Sequence, residues 1–195
     1  MNRPMTKERM LAFSDGVIAI IITIMVLELR PPHEPTLAAL IPMAPVFLSY
    51  LLSFVYLAIY WNNHHHMMHA VERVNGGILW ANMALLFFLS LVPFTTAWMG
   101  ENYDAAAPTA VYGVTLLAPA LSYYILQTVL VRTHGMDSLL ARSLGNDLKG
   151  KLSPVAYITG IATAFVNPHI AQAIFACIAL VWLVPDRRIE KRIAG

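Results

Sequence analysis

The chain has 195 residues and a formal net charge of +2; 58% of its residues are hydrophobic and only 12% are charged. Soluble domains carry about 25% charged residues, so this composition excludes an ordinary soluble domain. A net charge this small also provides no electrostatic footprint for nucleic acid. The composition therefore predicts a membrane protein, with lipid and no nucleic acid among its partners.

Long apolar segments follow one another along the chain. After a first run, the uncharged segments are 45–61, 77–99, 105–131 and 152–185. A helix needs about 20 apolar residues to cross a bilayer, and the last segment is long enough for two short helices or a re-entrant hairpin, divided at Asn167-Pro168-His169. We predict an all-α polytopic membrane protein in which residues 1–195 form a single domain of six transmembrane helices.

The positive charges predict the orientation. Of the 13 lysines and arginines, only Arg30 falls outside the loops and tails of one side, which also holds both termini. The positive-inside rule places that side in the cytoplasm. An even number of crossings requires the same arrangement, so we expect a multi-pass protein of the plasma membrane with both termini cytoplasmic.

The first helix raises a physical question. In RMLAFSDGVIAIIITIMVLELRPP, Arg9 and Asp15 stand at the start of an apolar run. A helix that began after Asp15 would have 14 residues before Arg30, about 21 Å, too short for a core of about 30 Å. A start near Lys7 or Arg9 gives enough length, but Asp15 then lies two turns inside the helix and needs a partner or a water-filled cavity.

Helical periodicity separates the polar and apolar faces of this helix. Asp15 points about 140° away from Ile20, and Ser14 points about 120° away in the other direction. Both side chains therefore face a neighbouring helix, where we expect Asp15 to meet an N–H group and Arg9 to add a cation. The expected partners at this membrane level are Trp61, His64 and His65. The apolar stripe around Ile20 comprises Phe13, Gly16, Ile20, Thr23, Ile24 and Leu27.

In the histidine-rich segment HHHMMH, residues 64–69, two of the histidines have the spacing of metal ligands. His65 and His69 are spaced i, i+4 and share a helix face, which suits a metal ion. No cysteine and no His-Glu-x-x-His arrangement accompanies them. We prefer the interpretation that these histidines end the second helix at the headgroup level, beside the interfacial Trp61, and we predict no metal there.

No enzyme signature emerges from the chain. The segment GNDLKGK, residues 145–151, resembles the first part of a phosphate-binding loop, but Leu152 stands where Ser or Thr is required and no strand precedes it. We interpret it as a basic cytoplasmic loop. No set of nucleophile, base and orienting group can be named, so we predict neither an enzyme nor a cofactor.

One combination of residues resembles a known family. Arg9-x-x-x-Phe13-Ser14-Asp15, an Ile-rich helix and Tyr60-Trp61-x-x-His64-His65 are similar to the bacterial branch of the transmembrane-protein-175 potassium channels. The resemblance implies a homotetramer in which four copies of the first helix line the pore. It also implies that the Phe-Ser-Asp group ties this helix to its own subunit. The implied constriction residues are Ile20, Thr23 or Ile24, and Leu27.

Two functional hypotheses follow. The leading one is a weakly selective potassium channel that conducts K⁺ passively through a hydrophobic constriction. The alternative is a proton-coupled transporter in which Asp15 forms a relay with His64 and His65. Transporters usually show broken helices at matching points of two repeats, whereas this sequence shows only the break at Asn167-Pro168.

Overall fold

A computed structural model describes residues 6–138, 141 and 148–183. Within these residues the secondary structure is helical, without strands, and the all-α prediction is confirmed. A 3₁₀-helix, Leu37–Met43, leads into the second α-helix. The α-helices are α1 Lys7–Leu27, α2 Ala44–His69, α3 Gly76–Ser90, α4 Val92–Glu101, α5 Ala106–His134, α6 Leu148–Ala164 and α7 Pro168–Leu183.

The start of α1 agrees with the length argument. The helix begins at Lys7, after Thr6 in an extended conformation, and its 21 residues span about 32 Å. The expectation that it starts near Lys7 or Arg9 is therefore confirmed. As a consequence, Asp15 lies two turns inside a membrane-spanning helix.

Four segments of the described chain are long and apolar enough to cross a membrane. They are Lys7–Leu27, Leu37–His69, Gly76–Glu101 and Ala106–His134. The third comprises α3 and α4, which are separated at Leu91, two residues before a proline that has no N–H group to continue the ladder. These segments identify a multi-pass membrane protein.

The last two helices are shorter. α6 has 17 residues and α7 has 16, about 26 and 24 Å, which is less than the hydrocarbon thickness of about 30 Å. They are separated near Asn167, whose side-chain oxygen accepts the His169 backbone N–H at 2.9 Å. The break at Asn167-Pro168 is therefore present, and the count of six crossings stays a prediction.

Contacts at one end of the bundle show that successive segments alternate in direction. The Lys7 ammonium donates to the His69 carbonyl at 3.2 Å, so the start of α1 meets the end of α2. At the end of α5, His134 Nε2 accepts the N–H groups of Glu72 and Arg73 at 3.2 Å each, in the loop before α3. Lys7 and Arg73 therefore lie at the same end, as the charge pattern requires.

Some predictions fall on residues outside the described ranges. The cytoplasmic placement of the termini depends partly on residues 1–5 and 184–195, and the GNDLKGK segment includes residues 145–147. Its residues 148–151 are described and form the start of α6, so the prediction of a loop is wrong for them. The placement of the termini stays a prediction.

Two apolar clusters hold the helices together. The first joins α1 to α2, α3 and α5 around Ile18, Leu57 and Leu85. The second joins α2 and α5 to α6 and α7 around Tyr112 and Phe175. The buried face of α1 repeats every three or four residues, as a helix packed on one side requires: it comprises Met10, Ser14, Ile18, Ile21 and Met25.

Phe175 fixes the spacing of the second cluster. Its ring, from α7, fills the space that a side chain on Gly113 of α5 or on Gly160 of α6 would occupy. Both glycines therefore allow a close approach of helices that no larger residue would permit without displacement of the ring.

Replacing Gly160 with Ala should lower stability, because the added methyl would overlap the Phe175 ring and overpacking costs about 1–3 kcal/mol. The measurement is the thermal unfolding midpoint of the protein purified in detergent. The matched control is Gly76→Ala, where an added Cβ meets nothing within 4 Å. Equal midpoints for the two variants would mean that the ring does not pack between α5 and α6 as described.

Candidate functional site: the polar anchor and exposed stripe of α1

A buried line of hydrogen bonds ties α1 to α2 through α3. His64 Nε2 of α2 lies 2.8 Å from Asn82 Oδ1 of α3. Asn82 Nδ2 donates to Ser14 Oγ of α1 at 2.9 Å, and the Ser14 hydroxyl donates to the Met10 carbonyl at 2.9 Å. The side chains of Ser14, His64 and Asn82 are almost completely buried, so this line joins three helices inside the first cluster.

The direction of each hydrogen bond follows from the groups available. Ser14 gives its only hydrogen to Met10, so its oxygen must accept from the amide nitrogen of Asn82. The amide oxygen of Asn82 then faces His64, which must carry its proton on Nε2. His64 Nδ1 is consequently a bare acceptor, and it has no hydrogen-bond partner among the described residues.

A second series of contacts, which includes hydrogen bonds and one ring stack, runs along the surface from Asp15. The Trp61 indole N–H donates to Asp15 Oδ1 at 3.0 Å. The indole ring stacks on His65 with centroids 5.8 Å apart and planes at 28°, and His65 Nε2 lies 3.0 Å from His69 Nε2. Ser14 and Asp15, adjacent in sequence, thus reach α3 and α2 by separate contacts, one buried and one at the surface.

The residues expected to anchor α1 divide into three groups. Trp61 provides the N–H group that Asp15 accepts, while His64 bonds to Asn82 and His65 to His69. Arg9 and Phe13 lie on the exposed surface of α1. The contact expected of Asp15 is therefore made by the tryptophan.

Asn82 is the residue that the sequence argument missed. It connects Ser14 to His64, although no pattern in the sequence marks it as their partner. The available signal was its position, because an amide inside an uncharged 23-residue segment, 77–99, needs hydrogen-bond partners in a membrane.

The apolar stripe of α1 is exposed on this chain. Ile20 is 58%, Ile24 43% and Leu27 76% exposed, whereas the adjacent Ile21 is only 4% exposed. Thr23 lies on the same exposed side, and its hydroxyl donates to the Ile20 carbonyl at 2.9 Å. Because that bond uses the only hydrogen of the hydroxyl, the lone pairs of its oxygen remain available on the exposed side.

Comparisons with known proteins identify the family. Residues 9–93 match the family described as the endosomal/lysosomal potassium channel TMEM175. A protein of Chryseobacterium sp. (strain P1-3), named a potassium channel, is 51% identical over 187 residues, which cover 96% of this chain and 97% of that protein. The chain belongs to the TMEM175 family. The predicted resemblance is confirmed, and the family is one of ion channels, not of enzymes.

A solved structure and an animal relative extend the comparison. One solved structure is the crystal structure of a lysosomal potassium-selective channel TMEM175 homolog from Chamaesiphon minutus. Its sequence is 26% identical to this chain, and the two structures superpose with a TM-score of 0.79. The match covers 91% of this chain and 96% of that one. The endosomal/lysosomal proton channel TMEM175 of Bos taurus is 26% identical over 197 residues, which cover 90% of this chain but 41% of that protein.

Replacing Asn82 with Ala should destabilise the protein, because it leaves the His64 N–H without its acceptor inside the first cluster. An unsatisfied buried polar group costs about 1–3 kcal/mol. The matched control is Asn62→Ala, which removes the same amide from an exposed position of α2. Thermal unfolding in detergent measures both; an Asn82→Ala protein as stable as the Asn62→Ala protein would contradict the bridging role.

Proposed function

We propose that the protein is a homotetrameric, weakly selective potassium channel in which α1 of each of four subunits lines a central pore. The observation that carries the proposal is the division of α1 into two faces. One face is held in its own subunit by apolar packing and by the Ser14 hydrogen bond. The other carries Ile20, Ile24 and Leu27, which are 43–76% exposed on the described chain.

A single copy of α1 cannot enclose a pore, so the proposal requires several subunits. Closed rotational symmetry is the usual arrangement of identical subunits. An apolar groove of about 440 Å³ lies beside the stripe, between α1 and α4, with Val17 on one side and Phe94 on the other. The stripe and this groove give each subunit a broad apolar face toward the proposed axis.

The chemistry of the stripe favours a hydrophobic constriction. Rings of isoleucine and leucine can close a pore by excluding water. K⁺ gives up its hydration water more readily than Na⁺, so a narrow apolar neck at Ile20 favours K⁺ without a cage of carbonyl groups. The oxygen of Thr23, whose hydrogen is committed to Ile20, provides a ring of lone pairs that can partly replace the lost water.

In this proposal Ser14 and Asp15 set the rotation of α1 and do not touch the ion. Asp15 lies about 140° around the helix from Ile20 and accepts the Trp61 N–H of its own subunit. Arg9 and Phe13 belong to the same turns, at the cytoplasmic end of the pore. The location that goes with this function is the plasma membrane, with the Lys7 and Arg73 end of the bundle in the cytoplasm.

The alternative of a proton-coupled transporter has less support. A relay from Asp15 through His64 and His65 requires these groups to be joined by hydrogen bonds. Asp15 bonds to Trp61 instead, and the two histidines bond to Asn82 and His69. Single-channel recording in planar bilayers distinguishes the two functions, because only a channel passes enough ions to give unitary currents.

Replacing Ile20 with Asn should hydrate the constriction, raise the unitary conductance severalfold and reduce the preference for K⁺ over Na⁺. The reason is that four amide side chains at the axis would stabilise water where four apolar side chains exclude it. The measurement is the reversal potential under bi-ionic K⁺/Na⁺ conditions, together with unitary conductance, in reconstituted membranes. Unchanged conductance and reversal potential would mean that α1 does not line the pore.

The control for Ile20→Asn is Ile21→Asn, which introduces the same amide one position along the helix. Ile21 is buried in the first cluster, where an unpaired amide costs about 1–3 kcal/mol. Ile21→Asn should therefore lower the yield of folded protein and leave the reversal potential of the surviving channels unchanged.

Removing the surface contact of the anchor should impair assembly more than selectivity. Asp15→Ala removes the acceptor, and Trp61→Phe removes the donor while keeping a ring beside His65. Both should reduce the fraction of purified protein that forms tetramers, because the bond helps to set the rotation of α1 in its own subunit and a hydrogen bond contributes about 0.5–1.5 kcal/mol.

The control for these two variants is Asp104→Ala, which removes the carboxylate of the exposed His169 pair at the other end of the bundle. Exposed ion pairs contribute about 0–1 kcal/mol, so this variant should assemble normally. An Asp15→Ala protein that forms normal tetramers but prefers a different ion would contradict the assignment of Asp15 to the anchor.

A further inference from the structure

The end of α2 carries two imidazoles whose Nε2 atoms face each other. His65 Nε2 and His69 Nε2 are 3.0 Å apart, and the ring planes are inclined at 78°. The residues are one helical turn apart, and neither is buried: His65 is half-buried and His69 is exposed. The sequence alone predicts no metal at this segment, but from this geometry we propose that the two side chains bind one divalent transition-metal ion of the zinc class through their Nε2 atoms.

The distance between the two nitrogen atoms fits this ion. Zn–N bonds are about 2.0–2.1 Å long, and two of them at a tetrahedral angle separate the nitrogens by about 3.3 Å. The pair needs to open by only a few tenths of an ångström from the 3.0 Å observed. Two histidines at i, i+4 on one helix face provide the same arrangement that helical zinc sites use.

The proton balance of binding is simple. In the metal-free pair one imidazole donates its Nε2 hydrogen to the Nε2 lone pair of the other, so the donor nitrogen has no lone pair free for a metal. The metal requires both Nε2 lone pairs, and the donor ring therefore moves its hydrogen to Nδ1 through solvent. Binding to the neutral pair releases no net proton.

The surroundings predict a site completed by water. Within the described residues, no group of three or more His, Cys, Asp or Glu side chains is placed to hold a metal ion, so the two histidines are the only protein ligands there. The exposed position of His69 leaves room for water at the remaining coordination positions. The Lys7 ammonium, which donates to the His69 carbonyl, adds a positive charge that weakens cation binding.

The site adjoins the anchor of α1. His65 stacks on the Trp61 ring, and the N–H of that ring bonds to Asp15. A metal that fixes the His65 ring therefore also fixes the position of the indole that holds α1. The binding itself does not depend on the proposed channel function.

The test uses the full chain, purified without a polyhistidine tag and titrated with ZnCl₂ by isothermal calorimetry. The expected result is saturable binding of one Zn²⁺ per chain, weakened at least about tenfold, or 1.4 kcal/mol, in His69→Gln and in His65→Gln. His66→Gln is the matched control and should bind as the unaltered protein does. MgCl₂ should give no comparable binding, because Mg²⁺ prefers oxygen ligands.

A fluorescence titration locates the site independently. Cu²⁺ shares the preference for imidazole and quenches a nearby indole, so part of the tryptophan emission should be lost on titration, and that part should be absent in Trp61→Phe. No Zn²⁺ binding to the unaltered protein, equal affinity in all three histidine variants, or quenching that persists in Trp61→Phe would each overturn the proposal.

Discussion

The rotation of α1 about its own axis is the constraint on which the rest of the structure depends. Inside a membrane, a polar side chain must find its hydrogen-bond partners within the protein. Ser14 finds Asn82, which in turn holds His64. A turn of α1 by one residue, about 100°, would break this line in a medium that offers no water to replace it. Hydrogen bonding therefore fixes the rotation of α1, and the same rotation buries Ile18 in the first apolar cluster.

That rotation decides what each part of α1 can do. With Ser14 held against α3, Asp15 comes to the surface beside Trp61, and the stripe through Ile20 points away from its own subunit. The proposed pore surface and the proposed anchor are thus two consequences of one helix orientation. The imidazole pair at the end of α2 adjoins the same contact through Trp61. An ion bound there would act on the helix that lines the proposed pore.

The sequence predicts the parts of this arrangement that depend on one helix alone. Bilayer thickness requires α1 to start near Lys7, and helical periodicity places Ile20 and Ser14 on different faces. The start of the helix and the division of its faces could therefore be derived from residue spacing. The partner Asn82 could not be derived, because spacing gives the faces of each helix but not the rotation of one helix relative to its neighbours.

The interruption at Leu91 could not be derived from hydrophobicity either. Hydrophobicity marks one continuous segment, while the backbone divides it into α3 and α4. Because spacing does not give the rotation of a helix, it also did not show which of the three candidate partners Asp15 meets: it accepts from Trp61, while His64 is directed inward to Asn82 and His65 outward to His69.

Intersubunit cross-linking at the exposed stripe tests the central claim most directly. Cys177, the only cysteine, is replaced by Ser, a single cysteine is introduced at Leu27, and membranes are treated with a four-armed maleimide reagent, which can join up to four thiols. If four copies of α1 surround an axis, Leu27→Cys should give bands of two, three and four chains, and Ile18→Cys, at a buried position, should give none. Only single chains from Leu27→Cys, or the same ladder from Ile18→Cys, would contradict a pore lined by this face of α1.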